Sequence, residues 1–200
     1  MGGAARCLSE NLERAVEALC RGGVVALPTD TCYGLAGDAL REDTVMRVLR
    51  VKGRSGKRPP AVFVPDLDAG SRLGVLTRDA RAMATDILPG SYTLLLPAHA
   101  ETPRWLISPE GLVGIRWTDF PTVATLLDAT GLLLTATSAN RTGAPPPYDV
   151  TALAEAIPLG QVDWVIDSNC GGLPPSTVID FGTEPPTIRR SASAGPPGVA

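Results

Sequence analysis

Residues 24–35 read Val-Val-Ala-Leu-Pro-Thr-Asp-Thr-Cys-Tyr-Gly-Leu, an apolar run that passes directly into a polar turn. The four apolar residues at its start predict a short buried strand. The turn brings hydroxyls, a carboxylate and a tyrosine to one point, and the basic segment Lys52-Gly53-Arg54 can fold back onto them. Polar groups on a turn held by a buried strand are typical of a binding site, and the nearby cations favour a small anionic ligand.

Helical and extended patterns alternate along the rest of the chain. Residues 11–21 have apolar side chains at helical spacing, with Ser9 as a candidate N-cap and Gly22-Gly23 as the stop. This interleaving predicts an α/β layer structure around one sheet, although the varied connections do not fix the strand order. Further helices are expected over residues 44–51, 78–88, 120–130 and 151–157, and strands over 24–27, 61–64, 92–96, 112–117, 132–136, 164–167, 177–180 and, at a sheet edge, 187–189.

Length and composition favour a single domain with its own core. The chain has 200 residues, of which 44% are hydrophobic, and a net charge of -3. This balance argues against a protein that holds duplex nucleic acid by bulk charge, but it leaves room for a local basic groove. We expect the domain to span residues 8–190, and the Ser-, Ala-, Gly- and Pro-rich residues 191–200 to form a flexible tail.

The cysteines and the single histidine, His99, do not form a metal-binding pattern. The four cysteines are widely spaced, with no Cys-x-x-Cys pair, so no protein-ligated metal site is expected. We interpret them as reduced thiols that serve as small apolar residues. We find no secretory signal and no apolar run long enough for a membrane span, and we therefore expect a cytoplasmic protein.

Several predicted strands run into polar or cationic residues. Arg116 ends one strand, Thr137-Ser138-Ala139-Asn140 follows another, and Arg189-Arg190 closes the last. Ser176 lies directly before the strand that begins at Thr177. Ligands of α/β folds tend to bind at the carboxyl ends of strands, so these segments could supply one site.

Each of these motifs also has a simpler interpretation. Asp30 could bond to the backbone of a strand-to-loop turn, and Asn140 could cap the next element. Arg116 could form an ordinary surface ion pair. The basic segment from Lys52 to Arg58 could be a solvated loop, and it lacks the spacing of a P-loop. Ser176 has no base to activate it, which disfavours a serine-hydrolase triad.

Taken together and in order, these segments resemble the YrdC-like family, the L-threonylcarbamoyladenylate synthases. The resemblance extends over residues 10–190 and rests on seven motifs rather than on one. The matching stretches are Leu27-Pro28-Thr29-Asp30-Thr31-Cys32-Tyr33-Gly34-Leu35, Lys52-Gly53-Arg54, Leu88-Pro89-Gly90-Ser91-Tyr92-Thr93-Leu94, Val113-Gly114-Ile115-Arg116, Ala136-Thr137-Ser138-Ala139-Asn140, Ser176-Thr177-Val178-Ile179-Asp180 and Ile188-Arg189-Arg190.

The resemblance implies a single-domain α/β fold, a twisted mixed sheet flanked by helices, with a positively lined cavity. It also implies an enzyme, a nucleotidyltransferase that converts L-threonine, bicarbonate and ATP to threonylcarbamoyl-AMP and pyrophosphate. The product serves the N6-threonylcarbamoyl modification of tRNA adenosine, with a separate downstream transferase acting on the tRNA. Mg²⁺ is expected to arrive on the ATP phosphates rather than on protein side chains.

The site residues follow from the same resemblance. Lys52 and Arg54 are the expected catalytic residues, and we expect them in an exposed loop whose alanine variants leave folding intact. The residues expected to contact threonine are Thr31, Arg116, Ser138 and Ser176. Those expected to contact the nucleotide are Lys52, Arg54, Arg58, Asn140, Tyr148 and Arg190.

The chain also departs from the family pattern. Phe63 stands where a short polar residue or a histidine is common, and Leu112 stands where a polar nucleotide contact can occur. Ser55-Gly56 replaces a proline, which predicts a looser loop. Trp117 replaces a small aliphatic residue, and we expect it to narrow or reshape the pocket.

Two alternative functions remain open at this point. The first is a non-catalytic RNA-binding module that uses the same hollow, although the sequence pI of about 5.2 weighs against it. The second is a related carbamoyl-adenylate enzyme with a different acceptor, which the departures at Phe63 and Trp117 favour.

Overall fold

A computed structural model describes residues 9–54 and 58–192 of the chain. The predicted domain start at residue 8, the replaced proline position at Ser55-Gly56 and the predicted flexible tail from residue 193 onwards lie outside the described residues.

The described residues form one mixed β-sheet. Its strands are β1 (Val25–Pro28), β2 (Tyr33–Ala36), β3 (Ala61–Phe63), β4 (Tyr92–Pro97), β5 (Leu112–Arg116), β6 (Leu134–Ser138), β7 (Trp164–Val165), β8 (Thr177–Asp180) and β9 (Thr187–Arg190). Their order across the sheet is β7-β1-β2-β6-β3-β5-β4-β8-β9. The pairs β1–β7, β3–β5 and β4–β8 are parallel, and the other neighbouring pairs are antiparallel.

Helices flank this sheet, and local sequence signals explain their ends. Asp66, Thr77 and Asp149 each accept a backbone N–H bond from the first turn of a helix, which satisfies one otherwise unpaired donor. The fifth helix starts with Pro121 and ends at Gly131, whose φ of 64° is left-handed. The helices are α1 (Glu10–Cys20), α2 (Glu42–Val51), α3 (Leu67–Gly70), α4 (Arg78–Ile87), α5 (Pro121–Thr130) and α6 (Val150–Ala156).

The core divides between the two faces of the sheet. On one face, Val62, Leu94 and Ile115 pack with the buried side chains of neighbouring strands and helices. On the other face, Leu27 and Phe63 belong to a cluster that includes buried residues of α1 and α5. The second cluster covers only part of its face, because α1 and α5 pack near the β1 side of the sheet. This arrangement leaves the middle of that face free for a site.

The mixed α/β sheet predicted from the sequence is confirmed, and the predicted elements match the observed ones to within two residues at each end. The short elements β2 (Tyr33–Ala36) and α3 (Leu67–Gly70) were not predicted. β2 pairs with both β1 and β6 in the interior of the sheet, so the polar motif at residues 29–32 is a tight connection between adjacent strands.

Candidate functional site

A cavity of about 1050 Å³ lies over one face of the sheet. Alternate residues of β3, β4, β5, β6 and β8 form its floor, because successive side chains of a strand point to opposite faces. The predicted residues at strand carboxyl ends, Arg116, Ser138 and Arg190, line this cavity, but its floor also includes residues from the middle of the strands. The floor consists of Ala61 and Phe63 on β3, Thr93 and Leu95 on β4, Leu112, Gly114 and Arg116 on β5, Ala136 and Ser138 on β6, and Val178 and Asp180 on β8.

Small residues give the cavity its depth. Gly34, Ala61, Gly114 and Ala136 line it on four different strands. A Cβ atom added to Gly114 would lie 3.0 Å from the Cβ of Ala61, closer than ordinary contact. Larger side chains at these positions would occupy the space above the sheet, so the residue types keep the hollow open.

Cations outnumber carboxylates in the described wall of the cavity. The only carboxylates among the lining residues described are those of Glu110 and Asp180. A wall with excess positive charge in a partly enclosed space favours anionic ligands. The cationic side chains are those of Lys52, Arg54, Arg58, Arg116, Arg189 and Arg190.

Lys52 is buried, contrary to the expectation that it lies in an exposed loop. Only 3% of its surface is accessible. Its ammonium donates to the backbone oxygen of Asn140 at 2.9 Å, to the side-chain oxygen of Asn140 at 3.4 Å and to the backbone oxygen of Ser138. Burial, followed by the charge of Arg54, lowers the pKa of Lys52 to about 8. Lys52 therefore ties the end of α2 to the end of β6, where Ser138 and Asn140 lie.

Arg54 and Arg58 form the more open cationic part of the wall. Arg54 is half-buried and Arg58 is exposed. Burial lowers the pKa of Arg54, and the charge of Arg58 lowers it further. The Nε atom of Arg54 is buried and has no hydrogen-bond partner among the described residues. Two guanidinium groups that line one cavity suit phosphate oxygens.

Arg116 enters the cavity from the end of β5 and is held by a buried ion pair. Its Nη2 atom lies 2.8 and 2.9 Å from the two carboxylate oxygens of Asp30 and 3.3 Å from the hydroxyl of Thr31. The guanidinium carbon lies 5.5 Å from the ring centre of Phe63. The alternative of an ordinary surface ion pair is wrong, because both side chains are only 10% exposed.

Ser176 and Arg190 form a second polar cluster beside Arg116. The Ser176 hydroxyl lies 2.9 Å from that of Thr93 and accepts a bond of 3.1 Å from Nη2 of Arg190. Arg190 also donates twice to the Ser176 backbone oxygen. Burial, followed by the charge of Arg116, lowers the pKa of Arg190. The edge strand β9 thus brings a second arginine towards the one on β5.

Asn140 holds the loop that follows β6. Its side-chain nitrogen donates to the backbone oxygens of Arg141, at 3.1 Å, and Ala144. The backbone N–H of Thr142 donates to the backbone oxygen of Lys52 at 3.1 Å. Asn140 does not cap the next helix, because Asp149 is the N-cap of α6. Its side chain shapes the cavity wall between Lys52 and the loop.

The structure brings together all the site residues predicted from the sequence except Tyr148, which is not among the residues that line the cavity. Tyr148 is half-buried, and its pKa is raised by burial and then by Cys32 and Cys170. The residues that line the cavity as predicted are Thr31, Lys52, Arg54, Arg58, Arg116, Ser138, Asn140, Ser176 and Arg190.

Two aromatic residues do not take the places expected for them. Tyr33 is fully buried and points away from the cavity, where its hydroxyl donates to the backbone oxygens of Ile166 and Ser168. Trp117 does not narrow the cavity, because it lines a separate hollow together with Pro65 and Pro89. Its register explains this, since it follows Arg116 and the next side chain of an extended chain points to the opposite face.

Sequence reasoning missed the partner groups of the site. The sequence places the Asp30 carboxylate near the site but does not predict its pairing with Arg116, nor the pairing of Asp180 with Arg189 at 2.6 Å. Thr93 belongs to the motif at residues 88–94, but the sequence does not predict a role for it in the site. Alternation along β4 and β8 is a signal that could have placed Thr93 and Asp180 on the cavity face, once the strands were known to be neighbours.

The described residues offer no metal site of their own. No group of three or more His, Cys, Asp or Glu side chains in residues 9–54 and 58–192 could hold an ion. Cys20, Cys32 and Cys170 are free thiols, while Cys7 lies outside the described part. No helix in the described part of the chain has the length and apolar character needed to cross a bilayer.

Comparison with known proteins identifies the family of this chain. Residues 17–192 match the sequence model of the Sua5/YciO/YrdC family, which carries the description "Telomere recombination". The chain belongs to this family. A threonylcarbamoyl-AMP synthase of Xanthomonas campestris pv. campestris is 36% identical over 172 residues, which cover 84% of this chain and 91% of that protein.

Two solved structures of the family share the fold. P. abyssi Sua5 complexed with L-threonine superposes with a TM-score of 0.83 and 29% identity, over 90% of this chain and 53% of that one. E. coli YciO superposes with a TM-score of 0.81 and 26% identity, over 92% of this chain and 88% of that one. This chain therefore spans about half of the Sua5 protein but most of YciO.

Proposed function

We propose that this protein synthesises threonylcarbamoyl-AMP from L-threonine, bicarbonate and ATP, and releases pyrophosphate. The observation that carries the proposal is that the residues predicted to contact threonine and those predicted to contact the nucleotide line one cavity. Thr31, Arg116 and Ser176 lie in the same hollow as Arg54 and Arg58. The curated relative that is 36% identical over most of both chains is a threonylcarbamoyl-AMP synthase, and the Sua5 structure contains L-threonine.

The reaction joins anions throughout. The amine of threonine and bicarbonate condense to an N-carboxylate with loss of water, and a carboxylate oxygen attacks the α-phosphorus of ATP. The bond from the α-phosphorus to the oxygen that bridges to the β-phosphate breaks, and pyrophosphate leaves. Such a reaction depends on the alignment of the reactants and on stabilisation of negative charge. The cationic wall supplies both without an acid-base pair of side chains.

We assign the amino acid to the part of the cavity around Arg116. A guanidinium group binds a carboxylate through parallel hydrogen bonds, and Arg116 lines the cavity with only its Nη2 atom bonded to other side chains among the described residues. The Thr31 hydroxyl accepts a bond of 3.3 Å from Nη2 of Arg116, the Ser176 hydroxyl accepts one of 3.1 Å from Arg190, and Ser138 lines the same hollow. These hydroxyls can orient the polar atoms of threonine.

We assign the phosphates to Arg54, Arg58 and Arg190, with Asn140 beside them. Lys52 contributes charge to this wall, but its ammonium already faces oxygens of Ser138 and Asn140. A direct contact of Lys52 with ATP would require it to exchange one of these acceptors. Its role in the resting protein is to fix the segment that carries Ser138 and Asn140.

Mg²⁺ is proposed to enter as a complex with the ATP phosphates. Mg²⁺ usually keeps several waters and binds one or two carboxylates together with substrate phosphates. In the described cavity wall, Asp180 is already paired with Arg189 and only Glu110 is otherwise available, so the donor set fits an ion carried by the nucleotide. The ion would neutralise charge on the departing pyrophosphate.

We also propose a downstream partner and a cellular location for this protein. The product is a mixed anhydride that a downstream transferase would pass to tRNA, so this protein meets tRNA only indirectly. ATP, tRNA and bicarbonate are all available in the cytoplasm, where we place the protein.

The RNA-binding alternative receives no specific support from the described residues. The cations line a hollow of about 1050 Å³, which is the size of a small-molecule site rather than a groove for a duplex. The other alternative, a related enzyme with a different acceptor, uses the same cavity and must be separated by experiment.

The test is to incubate the protein with ATP, Mg²⁺, ¹³C-labelled bicarbonate and each amino acid separately, and to detect products by mass spectrometry. We expect a labelled threonylcarbamoyl-AMP with L-threonine and little product with other amino acids. A labelled adenylate that forms only with a different acceptor would support the related enzyme instead. No labelled adenylate with any amino acid would refute the proposal.

A further inference from the structure

Asp30 lies behind Arg116 rather than in the cavity. It occupies the connection between β1 and β2, and its neighbours Thr29, Thr31 and Cys32 line the cavity while Asp30 does not. Both of its carboxylate oxygens face Nη2 of Arg116, at 2.8 and 2.9 Å. The carboxylate therefore contacts the arginine from the protein side and does not reach a ligand.

The backbone of Asp30 is itself clamped by a distant segment. The N–H of Gly171 donates to the backbone oxygen of Thr29 at 2.8 Å, and that of Leu173 donates to the backbone oxygen of Asp30 at 3.0 Å. The chain passes so close that a Cβ atom on Gly171 would lie 2.5 Å from the oxygen of Asp30. These contacts fix the position from which the carboxylate reaches Arg116.

Within residues 9–54 and 58–192, all the hydrogen bonds of the Arg116 guanidinium use the same nitrogen. Asp30 and Thr31 both bind Nη2, whereas the buried Nε has no partner in the described part of the chain. The ring of Phe63 lies 5.5 Å from the guanidinium carbon and limits its movement on that side. Nη2 is thus anchored, and Nη1, which has no hydrogen-bond partner among the described residues, remains for a ligand.

The negative charge of Asp30 also offsets electrostatic repulsion between Arg116 and Arg190. Arg190 and Arg116 both line the cavity, and the charge of Arg116 lowers the pKa of Arg190 after burial does. A carboxylate on Nη2 of Arg116 offsets this repulsion and opposes displacement of the side chain away from Arg190. Without it, only the Thr31 hydroxyl and the Phe63 ring would hold the guanidinium in this position.

We infer that Asp30 is a positioning residue: it holds the Arg116 guanidinium so that its free donors receive the α-carboxylate of the amino-acid substrate. This inference rests on the proposed function for the identity of the substrate. A misplacement of about 1 Å in such a group can cost on the order of 100-fold in activity, so the anchor matters although it does not touch the ligand.

The test compares Asp30→Asn and Asp30→Glu with the wild-type protein. We expect Asp30→Asn to weaken L-threonine binding, measured by calorimetry, on the order of 10- to 100-fold. The KM for L-threonine in pyrophosphate release should rise similarly, while the KM for ATP should change less than about threefold. Asp30→Glu keeps the charge and should recover most of the binding, even if Asp30→Asn folds poorly.

A matched control is Asp68→Asn, which removes an exposed pair with Arg81 at 2.8 Å and should change neither KM. The inference is overturned if Asp30→Asn binds L-threonine as the wild type does, if both KM values rise equally, or if Asp30→Glu fails to restore binding. A wild-type protein that binds L-threonine but releases no pyrophosphate would refute the proposed function alone, because the binding comparison still applies. A wild-type protein that does not bind L-threonine overturns both.

Discussion

The ammonium group of Lys52 supports the structure of the site through hydrogen bonds to other protein groups. It is buried and donates to oxygens of Ser138 and Asn140. Hydrogen bonds that involve a charged group contribute about 1.5–3 kcal/mol each, so this contact stabilises the end of β6 and the loop after it. The sequence motif Lys52-Gly53-Arg54 identified the right residues but could not show which of them faces the protein.

Lys52→Met should therefore loosen the loop after β6. We expect amide hydrogen exchange at Thr142 and Ala144 to be faster by at least about tenfold, because the ammonium no longer ties the carbonyl groups of Ser138 and Asn140. Arg54→Met is the matched control, since it removes a neighbouring half-buried charge with no hydrogen bond to this segment among the described contacts. Equal exchange rates in the two variants would contradict the framing role of Lys52.

Lys52 also predicts a specific pH dependence of stability. Its pKa is about 8 in the folded protein and 10.5 in the unfolded chain, because burial disfavours the charge. Between these values the unfolded chain binds more protons than the folded one, so the contribution of Lys52 to stability increases as the pH rises.

The measurement is urea unfolding of the wild type and Lys52→Met at several pH values. Other titrating groups are common to both proteins and cancel in the difference. The free energy of unfolding should shift in favour of the wild type by about 1–2 kcal/mol between roughly pH 7 and 9.5. A difference that stays constant, or that shifts towards the variant, would show that the pKa of Lys52 is not lowered by folding.

At the scale of elements, the site depends on which face of each strand looks into the hollow. Phe63, Gly114 and Arg116 share the cavity face, whereas Val62 and Ile115 pack on the opposite face. The face of each of these residues could not be predicted from the sequence, because fully buried strands carry apolar residues on both sides. Trp117 is an example, since its position next to Arg116 suggested the cavity, but its side chain lies elsewhere.

Gly114→Val should close the floor of the cavity while it keeps the strand. Valine suits a β-strand, but its side chain would enter the hollow beside Ala61, where even a Cβ atom lies at 3.0 Å. We expect binding of both ATP and L-threonine to weaken by at least about tenfold, and the stability to fall by about 1–3 kcal/mol from overpacking.

Gly160→Ala is the control for this substitution, because a Cβ atom at Gly160 would have nothing within 4 Å. Calorimetry with each ligand and urea unfolding measure the two effects for both variants. Ligand affinities of Gly114→Val equal to those of the wild type would mean that the floor around β5 does not contact the substrates.

At the scale of the whole molecule, the main observation is the convergence of distant cations. Lys52 follows α2, Arg116 ends β5 and Arg190 ends β9, yet all three line one cavity. Their residue types and the family resemblance made them predictable as a group, and the α/β class followed from the interleaved elements. The strand order β7-β1-β2-β6-β3-β5-β4-β8-β9 was not predictable, because it depends on pairings between residues far apart in the sequence.

The side chains that bond to the site residues could not be predicted from the sequence for the same reason. Asp30 and Arg116 are separated by 86 residues, and Thr93 and Ser176 by 83. Neither pair has a local signature, since contacts of this kind exist only after the sheet has formed. The sequence predicts the side chains that the reaction requires, such as Arg116 and Ser176. It does not predict the side chains that hold them in place, such as Asp30 and Thr93.

The most direct measurement is the rate of pyrophosphate release when ATP, L-threonine and bicarbonate are supplied together and when each is omitted in turn. A single cavity that holds all three reactants predicts release that requires all of them and that falls at least about 100-fold in Arg116→Gln. Release that continues without L-threonine or bicarbonate, or that is unchanged in Arg116→Gln, would contradict the account.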